Sequence, residues 1–108
     1  MAVALQSKSA VIFALDRRSK DRIDVAIWSQ IRTENDEECP ARITNISGAG
    51  LMAMTPAPLQ ADQRVRIQLP EIGWVAGRVG WTMGDRAGFE FNVLLEDESF
   101  AKLTPYCL

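Results

Sequence analysis

The sequence predicts a small antiparallel β-barrel of six strands followed by a short C-terminal helix, and three observations carry that expectation. Between Ile23 and Val93 the chain is a succession of short segments with period-2 apolar alternation, each closed by glycine, proline or acidic residues. No segment between them is long enough to be the crossover helix that parallel strands need. At 108 residues and 47% hydrophobic content there is material for one core and not for two, and closing the sheet on itself removes its open edges. The expected division is an N-terminal arm over residues 1–15 and a barrel domain with its helix over residues 16–108.

In the arm, residues 10–15 (Ala-Val-Ile-Phe-Ala-Leu) are too apolar to stay in water at low cost. They are expected to pack on the barrel, on the C-terminal segment or on a second subunit. The run is far too short to cross a membrane and is followed by Arg17 and Arg18 with no small-residue cleavage site, so the chain reads as cytoplasmic with no membrane partner.

The first strand starts at Ile23. Ile23, Val25, Ile27 and Ile31 alternate with Asp24, Ala26, Gln30 and Arg32, with Ser29 in an inward slot and Trp28 in an outward one. Residues 33–40 carry four acids and end on Pro40, which reads as a solvated loop. Residues 41–46 form the second strand, residues 47–50 turn the chain, and residues 51–55 form the third strand, stopped by Pro56 and Pro58. Val65, Ile67 and Leu69 alternate with Arg64, Arg66 and Gln68 in a fourth strand with a basic outer face.

After a turn at residues 70–73, residues 74–83 make the fifth strand, with Val75, Val79, Trp81 and Met83 expected inward. Residues 84–86 connect it to the sixth, residues 88–93, with Phe89, Phe91 and Val93 inward. Asp97 is expected to cap a helix that places Phe100 and Leu103 on one face and stops at Pro105.

Composition narrows the chemistry. The chain holds no histidine, which removes the usual general base and the commonest metal ligand. Cys39 and Cys107 belong to no C-x-x-C pair, so they read as free thiols with no metal or redox site. Neither serine nor cysteine has a base to activate it, and the expectation is no enzyme activity and no cofactor. A net charge of −2 argues against non-specific coating of nucleic acid.

Against that background, residues 16–22 (Asp-Arg-Arg-Ser-Lys-Asp-Arg) put four cations and two acids just ahead of the first strand. Arg18 and Arg22, four apart, project to one side of the chain in a helix or a strand. Guanidinium forks pair bidentately with phosphate or with the O6/N7 edge of guanine, and they stack on bases. A solvated basic loop is the plain alternative.

Two motifs surround the second turn. Gly48-x-Gly50-x-x-Ala53 satisfies a dinucleotide-binding pattern but leads into Pro56 and Pro58, with no room for the helix such a motif opens. Asn45-x-Ser47-x-x-Gly50 sets an amide and a hydroxyl on one face of an extended chain, with a glycine that permits close approach. Those groups suit a base edge or a phosphate oxygen, or else their own turn backbone.

Together, Arg18-x-x-x-Arg22 before the first strand and Asn45-x-Ser47-x-x-Gly50 after the second resemble the paired signature of the PilZ domain family. Residues 76–81 (Ala-Gly-Arg-Val-Gly-Trp) and 87–91 (Ala-Gly-Phe-Glu-Phe) resemble its last two strands. The resemblance covers roughly residues 16–93. It implies a six-stranded barrel that binds the bacterial second messenger cyclic di-GMP and acts as receptor or adaptor for an unidentified downstream protein. By that resemblance Arg18 and Arg22 grip guanine edges and phosphates, Asn45 and Ser47 bond the ligand from the barrel surface, and Gly50 shapes the turn.

Arg17, immediately before the motif, goes in similar proteins with two intercalated ligand molecules per chain. Asp21 stands where the family often has proline, and Asn45 takes the place of an aspartate that would pair more strongly with guanine N1–H and N2–H2. Two other classes remain: a partner-binding barrel that has lost the messenger, and a small RNA-binding barrel using Arg17, Arg18, Lys20, Arg64 and Arg66 beside Trp28 or Trp74. Net acidity and the clustering of the cations count against the RNA reading.

Overall fold

The structure, a computed structural model, describes residues 22–108; Arg17, Arg18 and the arm over residues 1–15 lie outside the described residues. Strands β1 (Ile23–Thr33), β2 (Glu38–Ile46), β3 (Gly50–Met54), β4 (Arg64–Leu69), β5 (Gly73–Met83) and β6 (Arg86–Phe91) close into an antiparallel barrel. Their order around it is β1-β2-β3-β6-β5-β4, sealed where Ile31 of β1 lies opposite Ile67 of β4. A helix, α1 (Asp97–Ala101), and a 3-10 turn (Thr104–Tyr106) follow.

Alternation fills the interior. Val25, Ile27 and Ile31 from β1 meet Ala41, Ile43 and Ile46 from β2, Val65, Ile67 and Leu69 from β4, and Phe89 and Phe91 from β6. Residues 55–63 carry the chain from β3 to β4, with Leu59 packed against the core. From the C-terminal segment, Phe100 and the fully buried Leu103 join the same cluster.

The loop expected over residues 33–40 is shorter, because β1 runs to Thr33 and β2 begins at Glu38. Asp36, at φ 62°, tightens the connection, with the Asp36 N–H donating to the Thr33 carbonyl at 2.9 Å. Pro40 therefore lies inside a strand. β3 ends at Met54 opposite Arg42, so at Pro40 β2 has no paired strand on that side, where the Thr55 hydroxyl donates to the Pro40 carbonyl at 2.8 Å, and a missing donor costs little there.

Two expectations about facing residues are overturned on β5 and one on β6. Between Val79 and Trp81 the register with β6 slips, so Gly80 is an extra residue on β5. A bulge of this kind re-aims the side chains after it. Trp81 turns outward over Gly88, and Met83 is 73% exposed. Val93 is 77% exposed, because β6 stops at Phe91 and alternation stops with it.

At α1 the N-cap is Glu96, which makes no side-chain cap bond, while Asp97 and Glu98 occupy the first turn, where carboxylates favour the helix dipole. Pro105 sits within the 3-10 turn rather than ending α1. Val25 bridges Cys107, and the Leu108 N–H donates to the Asp24 carbonyl at 3.0 Å, which stitches the end of the chain to β1.

Candidate functional site

The turn between β2 and β3 is held from several sides. The Ser47 N–H donates to the Gly50 carbonyl at 2.8 Å, and the Ala49 N–H donates to Ser47 Oγ at 3.2 Å. From β6 and the segment after it, the Phe91 N–H donates to the Ala49 carbonyl at 2.8 Å and the Leu95 N–H to the Gly48 carbonyl at 2.9 Å. Ser47 is 3% exposed, and its hydroxyl is committed to the turn, with a longer bond to the Gly50 carbonyl at 3.4 Å. The serine thus shapes the loop from within.

Gly50 opens β3 directly against β6. A Cβ there would press into the Phe89 carbonyl oxygen and stand 3.3 Å from the Glu90 Cα, so the close strand approach demands glycine. Its φ is not left-handed; space alone sets the requirement.

Asn45 faces outward for a reason that strand alternation does not give. Ile43 pairs with Ala53 and Asn45 with Met52, so β2 carries one extra residue there, and Thr44 and Asn45 are both half-buried while Ile46 returns to the core. The Asn45 Oδ1 accepts a 2.8 Å hydrogen bond from Arg22 Nη1 across 23 positions of sequence. The arginine motif and the turn motif are thereby joined through Arg22. Arg17 and Arg18, the other arginines expected at the site, lie outside the described residues.

Beside this pair lies an open groove of about 490 Å³, lined by Arg22, Ala49 and Gly50 on one side and by Phe89, Glu90, Phe91, Asn92 and Leu94 on the other. The second wall escaped sequence reasoning, because Leu94 and Asn92 follow the last strand and carry no motif. Glu90 brings a carboxylate into the groove, and Arg78 Nη2 holds it at 3.1 Å. Glu90 lies between the inward Phe89 and Phe91, so alternation on β6 puts it outward, and that was the available signal.

Two larger grooves lie elsewhere. One of about 630 Å³ contains Arg32, Arg64, Arg66 and Arg78, but three of these cations are already matched: Arg32 with Glu38, Arg66 with Asp36 at 3.8 Å, and Arg78 with Asp62 and Glu90. The other, of about 780 Å³, runs between β1 and the β4–β5 turn past Trp28 and Tyr106, and no cation lines it.

Among the described residues no cluster of potential ligands is suited to a metal ion, and no helix is long and apolar enough to cross a membrane. Cys39 and Cys107 are free thiols. The arrangement offers guanidinium and amide donors, a rigid turn and a facing wall whose exposed side chains are Glu90, Asn92 and Leu94. The family model described as PilZ domain matches residues 16–108. No curated protein matches the chain.

Proposed function

The chain belongs to the PilZ domain family, a family of cyclic di-GMP receptors, and from that premise we propose that it binds cyclic di-GMP in the groove beside Arg22 and Asn45. The observation that carries the reading is the Arg22 to Asn45 hydrogen bond, which brings the two halves of the signature together at one surface. A guanidinium has five N–H donors and this bond uses one, so Arg22 keeps donors for phosphate oxygens or for guanine O6 and N7. The Asn45 amide, outward on its bulge, supplies a further donor and acceptor. Ser47 and Gly50 contribute mainly by fixing the turn, and a ligand would meet the serine oxygen only at its remaining lone-pair position.

In this reading Arg18 reaches the same ligand from the segment ahead of β1, and Arg17 stacks on and neutralises a second, intercalated molecule. Closure of that segment over the ligand changes the surface offered to a downstream protein, which is the adaptor role. The protein acts as a binding module in the cytoplasm and transforms nothing.

Calorimetric titration with cyclic di-GMP tests the proposal. Wild-type protein should bind two molecules per chain, and Arg22→Ala or Asn45→Ala should each weaken binding by ~1–3 kcal/mol, the worth of a good guanine contact. Cyclic di-AMP should bind far less, because its amino group meets the arginine donors where guanine offers O6. Arg17→Leu should move the stoichiometry towards one with guanine preference kept. Absence of wild-type binding, or equal binding of cyclic di-AMP, would overturn the reading; a wild-type ratio of one would remove only the role of Arg17.

A further inference from the structure

On the outer surface of the barrel the strand register builds a row that the ligand site does not use. Trp28 on β1 lies opposite Arg42 on β2, Arg42 opposite Met54 on β3, Met54 opposite Arg86 on β6, and Arg86 opposite Met83 on β5. Five strands spaced ~4.8 Å apart make this a track of roughly 19 Å. Trp28 is 78% exposed and its ring lies 5.7 Å from the Arg42 guanidinium carbon. Met83 and both arginines are exposed, and Met54 is half-buried.

The cations of the barrel surface differ in whether a carboxylate meets them. Arg32, Arg66 and Arg78 each have a carboxylate within ion-pair distance. Among the described residues, Arg42 and Arg86 have none. Arg22 and Arg64 also lack one among these residues, but Arg42 and Arg86 stand in a row with an exposed indole, the exposed Met83 and the half-buried Met54.

We propose that this row is a docking surface for an acidic, apolar segment of a partner protein, which lays carboxylates on Arg42 and Arg86 and apolar side chains on Trp28, Met54 and Met83. Tryptophan and arginine are the residues that most often dominate interface energetics, and methionine adapts its shape to what covers it. The row consists of side chains on the outer face of the paired strands, so the partner engages side chains and does not add a strand.

Two other occupants fit less well. A second copy packed row on row about a two-fold axis sets a cationic row against itself. A nucleic acid needs cations tracking a backbone and an attractive long-range field; two arginines on a net-acidic protein provide neither.

The test is fluorescence anisotropy on the full chain with a labelled peptide, Asp-Glu-Leu-Phe-Glu-Asp-Leu-Glu, beside the same peptide with serine at its apolar positions and an oligouridylate of equal length. The apolar acidic peptide should bind, and its serine version should bind more weakly. The double substitution Arg42→Glu and Arg86→Glu should weaken peptide binding by about tenfold or more, as loss of interface charge partners does. Arg66→Glu, on β4 and outside the row, should leave it unchanged, and circular dichroism should show both variants folded. Failure of the wild type to bind the peptide, equal binding by the double variant, or tighter binding of oligouridylate would overturn the proposal. So would wild-type self-association in sedimentation that Trp28→Ser abolishes, which would assign the row to a second copy.

Discussion

Gly50 and Gly88 look alike in sequence, each at a junction of strand and turn chemistry, yet they are glycines for different reasons. At Gly50 the obstacle to a side chain is backbone, the Phe89 carbonyl and the Glu90 Cα, and backbone in a paired strand cannot move aside. At Gly88 the obstacle is the Trp81 indole, which is 42% exposed and can swing into solvent. Gly50→Ala should therefore cost about 1–3 kcal/mol, the usual penalty for overpacking. Gly88→Ala should cost under about 1 kcal/mol, as displacement of a surface group does, and change tryptophan emission. Urea denaturation of both variants decides it: equal losses would mean that Trp81 is as immovable as the Phe89 carbonyl. The same contrast separates Ser47, whose side chain serves its own turn, from Asn45, whose side chain reaches across to Arg22.

The C-terminal segment is a structural part of the barrel, and its two halves contribute unequally. Leu103 is fully buried and Phe100 nearly so, whereas Cys107 and Leu108 contribute an isolated bridge to Val25 and one bond to the Asp24 carbonyl. Leu103→Ala should lower stability by about 2–5 kcal/mol, the range for emptying a core leucine site. Removing residues 107 and 108 should cost no more than about 1.5 kcal/mol, the net worth of a typical hydrogen bond. Chemical denaturation that ranked the two the other way round would mean that the seam along β1, and not the packing of Leu103, secures this segment. The Leu95 N–H bond to the Gly48 carbonyl connects the segment to the site turn, so Leu103→Ala should also weaken ligand binding more than an equally destabilising change at Val65.

Closure of the barrel joins residues distant in sequence: Ile31 pairs across to Ile67, and Leu51 to Phe89. Long loops must be ordered before those pairings repay the cost, which slows folding. Refolding from denaturant, followed by tryptophan emission in stopped flow, should accordingly take milliseconds to seconds, the range typical of small barrels, and a microsecond phase carrying the full amplitude would contradict the topology. The ion pairs that dress the outside, such as Arg66 with Asp36, are exposed, so the closed interior, and not surface charge, holds the barrel together.

Period-2 alternation and turn chemistry are local, so the sequence alone determined the six strands, their order along the chain, most of the core and the family. Three things needed the fold. The bulges at Thr44 and Gly80 arise from pairing mismatches between strands, and no residue spells out a mismatch in its own segment; they turned Asn45 out to meet Arg22 and Trp81 away from the core. The far wall of the groove, from Phe89 to Leu94, comes beside Arg22 only because β6 pairs with β3. The row from Trp28 to Met83 draws one residue from each of five strands, and only the pairing of β3 with β6 sets its two halves side by side. Alternation says which face a residue takes; register between strands says whom it meets there, and register is a tertiary quantity.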